Sequence, residues 1–138
     1  MRFFIDTHYL LWSALKPNRI ERWASDLIEH FDNEIHVSAA SVYEISFKVR
    51  RGKLIEAAEF ESDLITNIER LGFTLHSLEP EVMMRAARFA DSHADPFDRM
   101  IAAHAILHDL PILSIDGKLD AFGVRRLKKP GRDFAQER

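Results

Sequence analysis

Arg2-Phe3-Phe4-Ile5-Asp6-Thr7-His8 is a short apolar run that ends on an acid and leads into a helical pattern. A run of this length bounded by a charge reads as a buried strand over residues 2–5, with Asp6 leaving its carboxyl end. The same pattern returns late in the chain, where Pro111 precedes Ile112-Leu113-Ser114-Ile115 and Asp116 follows. Between them the pattern predicts short strands at 35–37 and 73–78, and a last strand at 124–127. Helices are predicted over 8–15, from Asn18 to about Phe31, and over 39–51, 57–71, 80–90 and 95–108. Ile20, Trp23, Ala24, Leu27, Ile28 and Phe31 give the second helix one apolar face. Gly52 and Gly72 stop two of the others. Strands alternating with helices imply a parallel α/β sheet covered on both faces.

The chain has 138 residues, a one-domain length, with 46% hydrophobic and 30% charged residues. That supports a real core and an ordinary soluble surface. The domain is expected over 1–127, with a polar tail at 128–138. There is no cysteine, which excludes a disulfide scaffold, a thiolate metal site and a cysteine nucleophile. No apolar run approaches the roughly 20 residues needed to cross a bilayer. Asp6 and His8 interrupt the apolar N-terminal stretch, which makes a poor secretion signal. A cytoplasmic chain is the expectation. The net charge of −3 argues mildly against a nucleic-acid partner. An acidic site with a basic rim would escape that argument.

Ligands of open α/β sheets bind beyond the carboxyl ends of the strands. Asp6 and Asp116 stand there, at the same edge. Each also has a bland explanation as a helix N-cap. Glu44 lies in the helix after the second strand. Ser41-Val42-Tyr43-Glu44 matches a capping box, and Glu44 and Lys48 form a possible i,i+4 pair. In Asp95-Pro96-Phe97-Asp98, Asp95 suits an N-cap, Pro96 the first helical position, and Asp98 the first turn. The alanines that follow let this helix approach the sheet closely. Several carboxylates in one pocket repel each other unless a cation or protons intervene. An all-oxygen set suits Mg²⁺ or Mn²⁺. Such a cation supports in-line phosphodiester hydrolysis.

Four segments carry a family resemblance. They are Phe4-Ile5-Asp6-Thr7-His8 with Leu10-Leu11-Trp12; Ser38 to Ile45 with Lys48 and Gly52-Lys53-Leu54; His93 to Ala105; and Leu110 to Asp116. In order and at these separations, they resemble PIN-domain proteins, and in particular the VapC-type toxins of bacterial toxin–antitoxin pairs. The resemblance runs to about Leu127. It implies a three-layer α/β/α fold and a Mg²⁺- or Mn²⁺-dependent endoribonuclease, usually dimeric, that cuts RNA and is restrained by a small antitoxin. It also implies Asp6, Glu44, Asp98 and Asp116 as metal-site and catalytic acids, with Thr7 and Ser114 supporting them. Many members have Thr where Ser114 stands. Asp95 is first a cap and second an accessory acid. The antitoxin is expected to insert an Arg into the acidic pocket.

Lys48, Arg50, Arg51 and Lys53 form a basic run at a helix end. They suit either dipole compensation or contact with RNA phosphates. His104 and His108 share one helix face but lack a third ligand nearby and the HExxH pattern. They read as C-terminal residues favoured by the helix dipole. His8 lies close enough to Asp6 in sequence to assist proton transfer. Trp12, Trp23 and Phe31 read as core. Two competing functions remain: an idle binding module, and an aspartyl phosphatase using Asp6. The second is weakened because His8 occupies the place of the usual second acid.

Overall fold

The computed structural model describes residues 1–90 and 95–131. His93 and Ala94 of the third motif, and most of the polar tail, lie outside them. Four parallel strands form one sheet in the order β3-β2-β1-β4: β1 (Arg2–Ile5), β2 (Glu34–Ser38), β3 (Thr74–His76) and β4 (Ile112–Leu113). The register places Ile5 opposite both Val37 of β2 and Leu113 of β4. The helices are α1 (Thr7–Leu15), α2 (Arg22–Glu29), α3 (Ala39–Arg50), α4 (Ala58–Ser62), α5 (Leu64–Arg70), α6 (Pro80–Arg88) and α7 (Pro96–Leu107).

The opening run decides this arrangement. Phe3, Phe4 and Ile5 are fully buried, so β1 is central. Strand side chains alternate between faces. Phe3 and Ile5 therefore join Leu10, Val37, Ile45 and Ile68 on one side. Phe4 joins Ala40, Ile101, Ala102, Ala105 and Ile112 on the other. Burying each of the three side chains contributes about 1.5–3 kcal/mol. The alanines of α7 let it lie close to β1, as their size implied.

Four local expectations change. The second helix begins at Arg22, because Pro17–Arg19 forms a separate 3₁₀ turn, and it ends at Glu29. Phe31 consequently leaves the apolar face and is 90% exposed, whereas Trp12 and Trp23 pack on the core. The helix expected over 57–71 is broken at Asp63, whose φ of −138° separates α4 from α5. β4 stops at Leu113, and Ser114 beyond it turns its hydroxyl to the Asp6 carboxylate and the Asp116 amide. The last strand reduces to one parallel bridge between Ile112 and Arg126. Gly52, just past α3, has a φ of 72°, a left-handed conformation that closes the helix as its position suggested. No helix among the described residues is long and apolar enough to cross a membrane.

Candidate active site

β1 delivers Asp6 to the carboxyl edge of the sheet, where its amide donates to Leu113 O at 3.1 Å. Asp6 is 4% exposed. Its Oδ1 caps α1 by accepting from Tyr9 N at 2.9 Å, and its Oδ2 accepts from Ser114 Oγ at 2.7 Å. The Ile115 amide is a third donor. Burial nevertheless pushes the Asp6 carboxyl above the usual carboxylate range, against the pull of these donors and of nearby His8. A carboxylate has about four lone-pair sites. Three donors leave it able to take one more positive partner. Burial, followed by the charge of Asp6, pushes the Tyr9 hydroxyl up to about 12, so it stays neutral at ordinary pH.

Ser114 links the two strand-end acids. Its Oγ donates to Asp6 and accepts from Asp116 N at 3.0 Å. Asp116 in turn caps the 3₁₀ segment Gly117–Phe122 by accepting from Lys118 N at 2.9 Å. The cap explanations for Asp6 and Asp116 therefore both hold, and neither prevents the acids from sharing one edge.

Glu44 reaches the same region by another route. Ser38, not Ser41, is the N-cap of α3, so the capping box expected at Ser41–Glu44 does not form. One turn into the helix, Ser41 and Glu44 face α1 instead. Thr7 Oγ1 donates to Glu44 Oε1 at 2.7 Å and lies 2.9 Å from Ser41 Oγ. Thr7, directly after Asp6, thus ties Glu44 to the first strand end. Glu44 is 6% exposed, and its Oε2 accepts from Lys48 Nζ, so the expected i,i+4 pair is formed.

Asp95 Oδ1 caps α7, accepting from Phe97 N at 2.9 Å and Asp98 N at 3.3 Å. This is the first role the sequence suggested for it. Asp98 is half-buried in the first turn, and the Phe97 ring beside it meets Tyr43 of α3 at 5.7 Å. The start of α7 and the helix bearing Glu44 are therefore neighbours.

The rim is uneven. Lys48 is committed to Glu44, and Arg51 lies over the Phe47 ring at 4.8 Å. Arg50 and Lys53 are exposed. A groove of about 240 Å³ runs beside Thr7 and Glu44, with His8, Trp12, Lys16 and Lys48 in its walls. Sequence reasoning missed Ser41, whose position inside a helix hid its partner on α1. It also missed Arg126. That guanidinium grips Asp120 through two bonds of 3.0 and 3.2 Å and donates to Ser114 O at 3.4 Å.

A parallel α/β sheet with buried, hydroxyl-braced acids at its carboxyl edge defines a class of domain whose site lies at the strand ends. The chain belongs to the PIN domain family, whose model matches residues 3–124. It is 29% identical over 119 residues to Ribonuclease VapC22 of Mycobacterium tuberculosis (strain ATCC 25618 / H37Rv), covering 83% of this chain and 87% of that protein. Two solved structures share the fold. One is VapBC2 from Rickettsia felis, bound to a DNA fragment from its promoter, at TM-score 0.64 and 12% identity over 92% of this chain and 98% of that one. The other is FitAcB from Neisseria gonorrhoeae, at TM-score 0.61 and 23% identity over 93% and 97%.

Proposed function

We propose that this chain is a metal-dependent endoribonuclease and the toxin of a toxin–antitoxin pair. The observation that carries the reading is the Ser114 hydroxyl that joins the Asp6 carboxylate to the Asp116 backbone amide, with Thr7 tying Glu44 to the same strand end. Membership of the PIN family, the ribonuclease relative and the VapBC neighbour support it. The donors are all carboxylate oxygens, and burial destabilises the Asp6 charge, so the set suits Mg²⁺ or Mn²⁺. Asp6, Asp98 and Asp116 would hold the ion, with Glu44 completing the set. Bound there, the ion would polarise a phosphodiester oxygen and favour ionisation of an attacking water.

The chain's own residues supply the rest. Ser114 and the Tyr9 and Ile115 amides fix both oxygens of Asp6. Thr7 fixes Oε1 of Glu44, and Lys48 covers Oε2 until a stronger cation competes for it. Asp95 orients the start of α7, and with it Asp98. Arg50, Arg51 and Lys53 line the outer end of α3, where RNA phosphates would pass. A cognate antitoxin and a second copy of the chain are the proposed protein partners.

Tag-free protein, freed of contaminating nucleases, is to be incubated with structured RNA and Mg²⁺ or Mn²⁺. Cleavage that disappears in Asp6→Asn and in Asp98→Asn, with folding retained, is expected. Full activity in both variants would overturn the proposal.

A further inference from the structure

The helix-face pair His104 and His108 has a third imidazole beside it, and it comes from a strand. His76, the last residue of β3, brings a ring nitrogen close to both, so that one nitrogen from each of the three lies within 4.8 Å of the others. The ring centroids are 5.1 Å apart for His104 and His108, 5.6 Å for His76 and His104, and 5.1 Å for His76 and His108. Glu79, just before α6, places Oε1 2.7 Å from His108 Nε2 and 3.7 Å from His104 Nε2. His36 of β2 closes the group from behind, its Nδ1 against His76 Nε2.

Two features set this cluster apart from a chance grouping. His104 is fully buried, and its Nε2 has no hydrogen-bond partner although it faces a carboxylate oxygen. A buried polar atom in that state is costly unless something occupies the gap. Its other nitrogen, Nδ1, lies 2.9 Å from Ser38 Oγ, itself held by the Ala40 amide at 3.1 Å. A hydrogen bond on the far nitrogen is how proteins orient a ligating imidazole. Burial pushes His104 down to about 4, so it is neutral at ordinary pH. A neutral His104 also cannot serve the helix dipole, which corrects the role expected from its position.

We propose that His76, His104, His108 and Glu79 form a structural site for a zinc-type transition-metal ion. Three nitrogens and one carboxylate oxygen match a closed tetrahedral zinc shell. In such a shell, with bonds of about 2.0–2.1 Å, neighbouring donors lie about 3.3 Å apart, so the present spacing needs only small side-chain adjustments. Imidazole nitrogens favour zinc, nickel or copper over Mg²⁺ and Mn²⁺. His76 and His108 are half-buried and Glu79 is exposed, which opens a path from solvent. The ion would join β3, the start of α6 and the second half of α7. Asp98 and His104 are six positions apart on α7, about 9 Å along the axis at 1.5 Å per residue, so the two proposed sites are distinct.

The test uses tag-free full-length protein stripped with chelator, then given Zn²⁺, Co²⁺ or Mg²⁺ alone. One equivalent of zinc should remain after dialysis against excess Mg²⁺ and should raise the melting temperature. Co²⁺ should give the visible absorption of a tetrahedral site. His108→Ala and His76→Ala, both at half-exposed positions, should each weaken zinc binding by roughly 100-fold or more, beyond the 10–100-fold typical of changes around a ligand shell. The Asp6→Asn, Asp116→Asn double variant should bind zinc as wild type does. Absence of retained zinc would overturn the proposal. So would unchanged zinc affinity in both histidine variants, or zinc binding lost only in the aspartate variant. None of these readouts depends on RNA cleavage.

Discussion

Replacing Ser114 with alanine removes one hydroxyl that two strand ends share. In the folded protein that hydroxyl donates to buried Asp6 Oδ2 at 2.7 Å and accepts the Asp116 amide at 3.0 Å. Asp116 is half-exposed, so water can replace the second bond. The first is not replaceable in this way, because Ser114 and Asp6 are 3% and 4% exposed. A hydrogen bond to an ionised group is worth about 1.5–3 kcal/mol, and one between neutral groups about 1 kcal/mol. The loss therefore depends on the protonation of Asp6. The donor favours the ionised carboxyl, so its removal raises an already elevated pKa further. Ser114→Ala should cost about 1 kcal/mol where Asp6 is protonated, rising to about 1.5–3 kcal/mol where wild-type Asp6 is ionised. For a chain of 138 residues, each kcal/mol corresponds to about 3 °C of melting temperature. Urea unfolding of wild type, Ser114→Ala and Ser114→Thr at pH 5 and pH 8 measures it. Ser114→Thr keeps the hydroxyl and should recover most of the loss. A Ser114→Ala protein within about 0.5 kcal/mol of wild type at both pH values would refute the reasoning, since that is the ordinary scatter of neutral substitutions.

Other outcomes follow from the same contacts. Thr7→Val removes the donor to Glu44 Oε1 and should lower stability by about 1.5–3 kcal/mol, with Thr7→Ser recovering most of it, as denaturant midpoints would record. Gly52→Ala has open space for its Cβ but a φ of 72°, so it should cost only the left-handed backbone penalty of about 1–2 kcal/mol. In zinc-free protein, neutral burial of His104 makes stability fall as pH drops from 6.5 toward 4, because the unfolded chain then binds the proton that the folded one refuses. The loss reaches about 3 kcal/mol at most, taking 1.36 kcal/mol per pKa unit. Asp6 works in the opposite sense, its raised pKa adding stability as pH falls, so the titration is best followed in an Asp6→Asn background. Asp6→Asn itself keeps an acceptor for Tyr9 and removes a desolvated charge, so its metal-free melting temperature should match or exceed that of wild type.

The sheet was legible because its signals are local. Apolar runs bounded by charge marked β1 and β4, and Asp95-Pro96 marked the start of α7. Errors arose where a distant contact decided a local choice. Ser114 lies just past β4, and its hydroxyl serves Asp6, 108 positions earlier. Ser41 and Glu44 look like a capping box, yet their partner is Thr7, on a different helix. Phe31 fits a helical period that stops two residues before it. The strand-end acids were recognisable because strand ends can be read from sequence, and their capping roles proved compatible with that placement. The histidine cluster was hidden because its members come from β2, β3 and α7, and no short motif joins His76 to His108. Sequence spacing displayed only the α7 pair.

Asp6, Glu44, Asp98 and Asp116 are proposed to form one cation-binding site that cuts RNA. The most direct measurement is Mn²⁺ titration by calorimetry, paired with RNA cleavage, on zinc-free wild type and on the Asp6→Asn, Asp116→Asn double variant. Wild type should bind Mn²⁺ and cleave RNA only when it is present, and the folded double variant should do neither. Equal Mn²⁺ affinity and equal cleavage in the two proteins would contradict the proposal.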